Sequence, residues 1–105
     1  MSEIVVMWWR DIPAQVQARR GRERLNAHLG ERFETAIDRA AMRARLTGTD
    51  GYLQEWRRES ETLADDADLS QTLESRRADL ESRYDAERLA RLIENGGFEG
   101  DKEGV

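Results

Sequence analysis

The stretch Glu3 to Pro13, EIVVMWWRDIP, restricts the fold more than any other part of the chain. Ile4-Val5-Val6-Met7-Trp8-Trp9 is the longest apolar run, and β-branched and aromatic residues dominate it, as a pleated and well-buried strand requires. Successive side chains on a strand point to opposite faces, so Ile4, Val6 and Trp8 share one face and Val5, Met7 and Trp9 the other. Both sets are apolar. The strand is therefore expected at the centre of a small sheet, covered on both faces or nearly so.

Asp11 and Pro13, the only proline, close this strand with a turn, since proline cannot donate to a ladder and Asp is a natural turn former. From Ala14 to Arg20, AQVQARR sets Ala14, Val16 and Ala18 against Gln15, Gln17 and Arg19, the alternation of a strand with one wet face. This second strand is expected at the sheet edge. The basic run Arg19-Arg20-Gly21-Arg22-Glu23-Arg24 is placed in the loop that leaves it.

The clearest helix runs from Glu31 to Leu46, where Phe33, Ile37, Ala40 and Ala44 form one apolar stripe with Leu29 a turn earlier. Gly30 is the expected N-cap, Glu31 and Glu34 suit the positive end of the helix, Arg43 and Arg45 suit the other, and Gly48 stops it. In YLQEWRR, residues 52–58, Tyr52 and Trp56 share a face in either a strand or a helix, so periodicity does not decide the element. Topology does. A third strand would complete a split β-α-β unit with the first strand between the other two. Residues 59–68 then form an acidic connection. Leu73, Leu80 and Tyr84 mark a helix from about Leu69; Leu89, Leu92 and Ile93 continue it after a phase shift near Asp85, and Asn95-Gly96-Gly97 ends it. The expected fold is α+β: a small three-stranded, mostly antiparallel sheet in the order β-β-α-β-α with helices packed on it. Residues 3–94 make the single domain, and residues 95–105 make a flexible acidic C-terminal tail.

The chain's 105 residues suffice for one modest core, and its net charge of −5 conceals an asymmetry. Residues 1–60 carry eleven arginines against nine carboxylates, and residues 61–105 carry six bases against thirteen acids. An acidic second half would repel a phosphate backbone, which argues against nucleic-acid binding. Cysteine is absent, which excludes a disulfide frame and a thiolate metal site and favours a reducing compartment. No stretch resembles an export core or reaches membrane-spanning length, so a cytoplasmic protein without a membrane partner is expected.

No complete catalytic, metal or nucleotide motif is present, and no cofactor is implied. His28, the only histidine, lacks a paired ligand and suits a surface or capping role. Asp38, with Arg39, Arg43 and Arg45 nearby on the helix, suits a surface ion-pair lattice. Arginine clusters bind anions through bidentate guanidinium donors, and Gly21 lets a ligand approach the backbone, so Arg20, Arg22 and Arg24 are candidate binders. The Trp8-Trp9-Arg10-Asp11 corner is open to two readings. Either one tryptophan fills the core while the other anchors a partner at the rim, or the two simply cover opposite faces.

The strings WWRDIPAQV, RGRER, ERFETAIDRAAMRARL and TDGYLQEWRR together resemble a family of small bacterial proteins called "virulence factor", found especially in alphaproteobacteria. The resemblance covers about residues 3 to 94 and brings no established activity, cofactor or catalytic residue. The family's genes often neighbour corrinoid- and folate-dependent methyl-transfer proteins, which implies an accessory role in one-carbon metabolism. The expectation is thus a non-enzymatic accessory subunit that binds another cytoplasmic protein, such as a methyl-transfer enzyme, or a second copy of itself. Trp9, Arg10, Asp11, Arg20, Arg22 and Arg24 would form its one exposed surface. The alternative is a small ligand-binding subunit or enzyme that holds an anionic substrate with its arginines. The two differ in shape. An adaptor presents a flat or convex apolar patch, whereas a ligand protein presents a concave site with converging polar groups.

Overall fold

A computed structural model describes residues 1–46 and 50–99. Its elements run β1 (Ser2–Trp9), β2 (Ile12–Arg20), β3 (Glu23–His28), α1 (Glu31–Arg43), α2 (Asp50–Gln54), β4 (Trp56–Leu63), α3 (Leu69–Arg83) and α4 (Ala86–Glu94). The strands form a four-stranded antiparallel sheet in the order β3-β2-β1-β4. The α+β class and the central place of β1 between β2 and β4 agree with the sequence reading. The three-stranded sheet does not.

The additional strand comes from the arginine run. Gly21, at φ +59°, and Arg22 are the whole of the turn, and Glu23–His28 fold back along β2 with Arg24 opposite Arg19 and Ala27 opposite Val16. Glycine suits this left-handed corner because it has no Cβ to clash. The expected loop is thus a hairpin, and β2 is an interior strand rather than an edge. The third expected strand is also displaced: Asp50–Gln54 form a short helix, and β4 extends through Leu63 into what reads as a polar connection. Six of its eight residues are exposed, so backbone pairing with β1 rather than burial defines it.

One face of the sheet carries the core. Ile4 and Val6 on β1 lie beside Ala18 and Val16 on β2, with Leu25 and Ala27 of β3 at the margin, and α3 packs across β2 and β3. Helix α1 packs against α4 and β2 and contributes Phe33, Ile37, Ala40 and Ala41. The opposite face has no helix across its centre and Met7 there is only half-buried, but Val5 and Trp9 on it are buried, so β1 is covered on both faces or nearly so, as expected. Val5 is flanked by Gln17 and Ser60 on the neighbouring strands.

Local chemistry explains the helix limits. Gly30 does cap α1, but the helix ends at Arg43, before the expected Leu46. Arg45 takes a left-handed φ of +61°, while Leu46 N–H donates to Ala41 O at 2.9 Å and Arg45 N–H to Met42 O at 3.0 Å, a Schellman close without glycine. Gly48, the expected stop, lies outside the described residues. The phase shift at Asp85 is a helix break: its side chain accepts from Arg88 N–H at 2.8 Å and caps α4, as Asp68 caps α3 through Gln71 N–H at 3.0 Å. Asn95-Gly96-Gly97 ends α4 as expected, Gly97 N–H reaching Leu92 O at 2.7 Å.

Candidate functional site

The helix-free part of the second sheet face carries a row of polar side chains. Alternation sends Gln15, Gln17 and Arg19 of β2 to the face opposite the core, beside Met7 of β1, Arg24 of β3 and Arg58 of β4. These six residues line a shallow pocket of about 380 Å³. Arg19 pairs with Glu3 across β1 and β2. Arg24 and Arg58 have no ion pair or hydrogen bond among the described residues. Arg19 and Arg24 are direct cross-strand neighbours, a like-charge opposition that Glu3, on the other side of Arg19, offsets in part.

Met7 and Gln15 also border a second pocket, so the two pockets adjoin and are together termed the trough. This second pocket, about 550 Å³, runs off the end of the sheet under α1 and α2. Its walls are apolar and aromatic, with Leu29, Ile37, Tyr52 and Trp56, and its polar groups are His28, Glu34 and Asp38. Glu34 and Asp38 stand one helical turn apart on α1, and neither has an ion-pair partner among the described residues. The lattice expected around Asp38 is absent there, and His28 lines a wall instead of capping α1.

A third concavity, about 470 Å³, lies between β4 and α3 over Trp8 and Tyr84. Its charges satisfy one another: Arg76 pairs with Glu61, Arg83 with Asp79 and Arg88 with Glu99. Burial pushes the Tyr84 phenol above its ordinary pKa, Arg88 opposes the shift and Glu99 and Asp11 add to it. Trp8 Nε1 is buried there with no hydrogen-bond partner among the described residues. Arg57 covers the Trp8 ring and Arg88 the Tyr84 ring, so both aromatic faces are engaged.

The expected site residues separate into two groups at opposite ends of the sheet. Trp9 pairs with Ile12 at one end of the β1–β2 ladder and Ser2 with Arg20 at the other, so the eight residues of β1 hold the corner about 25 Å from the arginine hairpin. They do not form one surface.

Trp9, Arg10 and Asp11 face inward. Trp9 is fully buried and donates from Nε1 to Tyr52 O at 3.0 Å. Arg10, at φ +53°, donates to Glu55 Oε1 at 2.9 Å and Gly96 O at 2.8 Å, and its guanidinium lies 5.2 Å from the Trp9 ring centre and 4.4 Å from that of Phe98. Asp11 N–H reaches Gly97 O at 2.8 Å, and its carboxylate accepts from Glu99 N–H at 2.7 Å. Residues 95–99, read as the start of a flexible tail, are therefore stitched to this corner; residues 100–105 lie outside the described residues. Both tryptophans pack inward, Trp9 in the main core and Trp8 edge-on to Tyr84, so neither is a free rim anchor.

Arg20 is likewise structural, donating to Ser2 Oγ at 2.8 Å and to Ala67 O. Arg22 is exposed in the hairpin turn, and Arg24 alone of the six enters the trough. Sequence reasoning missed Arg58, Gln15, Gln17 and Met7 as site residues. The signal for the glutamines was present in the wet face of β2, but without β3 and the full length of β4 that face had no walls.

Among the described residues no cluster of His, Asp and Glu could hold a metal ion, and no helix is long and apolar enough to cross a membrane. Neither the curated proteins nor the solved structures contain a match. The family model described as "Virulence factor" matches residues 7–93, from the last three residues of β1 to the last turn of α4. A match over most of the chain, including both pockets of the trough, shows that the protein belongs to the virulence factor family.

Proposed function

We propose that this domain is a non-catalytic binding module that holds an anionic ligand on the open face of its sheet. The carrying observation is that Arg24 and Arg58 enter one pocket without a partner among the described residues, beside Arg19, whose Glu3 partner satisfies one guanidinium of the three. Arginines of α3, and of the knot that the Trp9-Arg10-Asp11 corner makes with residues 95–99, are paired with carboxylates or carbonyls, whereas Arg24 and Arg58 are not. Gln15 adds a neutral donor on the floor, beside Gln17, whose Nε2 already donates to Asn26 Oδ1 at 2.8 Å. A carboxylate or phosphate there would accept charge-assisted hydrogen bonds and relieve the opposition of Arg19 and Arg24.

Concavity favours a ligand over a flat adaptor contact, in line with the usual form of small-molecule sites. A small module that holds an anion without transforming it would serve as accessory to a protein that does.

Calorimetric titration of inorganic phosphate and of acetate at low ionic strength tests this reading. Binding should weaken about tenfold or more in the Arg24→Ala/Arg58→Ala variant, as expected when charge-assisted hydrogen bonds are lost, and should weaken with added salt. Equal affinity in the variant, or no binding to the parent protein, would overturn it.

A further inference from the structure

The second half of the trough repeats the situation of the first with the charge reversed. Beyond the shared Met7 and Gln15, the polar groups without ion pairs are the carboxylates Glu34 and Asp38 and the imidazole of His28, in a lining that also holds Tyr52 and Trp56. Exposed carboxylates in a pocket also lined by aromatic rings suit an ammonium, held by charge on one side and by the ring quadrupole on the other. Apolar Leu29 and Ile37 line the same pocket, so whatever lies there presents carbon as well as charge. Along β3 the trough runs from Arg24 to His28, four residues or about 14 Å of strand.

We infer that the trough takes an extended dipolar ligand, with its carboxylate or phosphate among Arg19, Arg24 and Arg58 and its ammonium at Glu34 and Asp38. Its middle lies over Met7 and Gln15 and carries apolar groups. This rests on the anion-binding reading above and adds the polarity, direction and length of the ligand. Neither end alone uses the whole site. An anion without a cationic end leaves Glu34 and Asp38 unmatched, and an amine without an anionic end leaves the arginines opposed. A ligand that spans the trough satisfies both, and the run of strand from Arg24 to His28 corresponds to an extended peptide of about four residues, at 3.3–3.6 Å each.

Short peptides with apolar centres and free termini, two to six residues long, are suitable probes because each end can be neutralised separately: acetylation removes the ammonium and amidation the carboxylate. Affinity, read by calorimetry and by NMR shifts of the Met7 and Gln15 amides, should peak at three to five residues. It should fall about tenfold on acetylation and about tenfold on amidation, the size of one lost charge-assisted contact. In the Glu34→Gln/Asp38→Asn variant, free and acetylated peptides should bind equally, while inorganic phosphate binds as it does to the parent protein. If amidation weakens binding but acetylation does not, or if phosphate binds and no peptide does, the dipolar ligand is overturned and the anion site stands. If neither phosphate nor any peptide binds, both readings fall together.

Discussion

The corner at Trp9-Arg10-Asp11 and the trough on the open sheet face carry similar residue types and use them in opposite ways. At the corner, every named charge has a partner inside the protein: Arg10 has Glu55 and Gly96 O, Asp11 has Glu99 N–H and Arg57, and Arg88 holds Glu99. In the trough, Arg24, Arg58, Glu34 and Asp38 have none among the described residues, although each strand and helix that presents them is well ordered by backbone pairing or packing. The difference separates distinctiveness from availability. WWRD is the most unusual string in the sequence because three separate segments meet on it, and that meeting consumes the chemistry that would otherwise recognise a ligand.

The comparison predicts its largest effect at Trp9. Replacing this fully buried ring with Ala removes its packing and its bond to Tyr52 O, and should cost about 3–5 kcal/mol in urea unfolding. A loss below 1 kcal/mol would mean that the corner does not hold the fold. Gly97→Ala probes the same knot from the opposite side. A Cβ there would stand 2.7 Å from Trp9 Cζ3 on a residue at φ +101°, so destabilisation of about 1–3 kcal/mol is expected from backbone strain and crowding. Unchanged stability would show that residues 95–99 are not stitched to the corner.

The trough should respond in the contrary sense. Arg24→Ala/Arg58→Ala removes two side chains without ion-pair partners, so stability should stay within about 0.5 kcal/mol of the parent protein. Relief of the Arg19–Arg24 opposition works toward a gain rather than a loss. A loss of 2 kcal/mol or more, against about 0.5 expected for such surface sites, would place these arginines in the framework and remove the contrast between the two regions.

What was legible in the sequence divides along the same line. The strands β1 and β2, the apolar stripe of α1 and the break at Asp85 are written in burial and capping, which act locally and leave a period or a cap residue behind. Strand β3 leaves almost none: Leu25 and Ala27 are only half-buried, and the arginines around Gly21 resemble a solvated loop as closely as a hairpin. Strand β4 is set by its partner, since WRRESETL has little β-propensity and pairs along the whole of β1. The site depends on these two strands, so its floor was readable in Gln15 and Gln17 while its walls were not. Arg10 and Asp11 misled for a related reason: a charged turn after an apolar strand looks solvent-facing until the chain's distant end is seen to close over it.

The smallest effect is a titration. Burial raises the Tyr84 phenol above its ordinary pKa of about 10, with Glu99 and Asp11 adding and Arg88 opposing. The folded protein therefore keeps this proton to higher pH than the unfolded chain does. The stability associated with it is fully present below about pH 10 and is lost as pH rises through the window between the unfolded and folded values. Tyr84→Phe cannot release a proton, so the difference in unfolding free energy between the variant and the parent protein should shift in the variant's favour as pH climbs past 10. A constant difference across that range would mean that Tyr84 is solvated and that the knot does not extend to the cleft of Trp8. The same scan on the Arg24→Ala/Arg58→Ala protein should follow the parent curve, because those arginines lie across the sheet from Tyr84 and do not enter its environment.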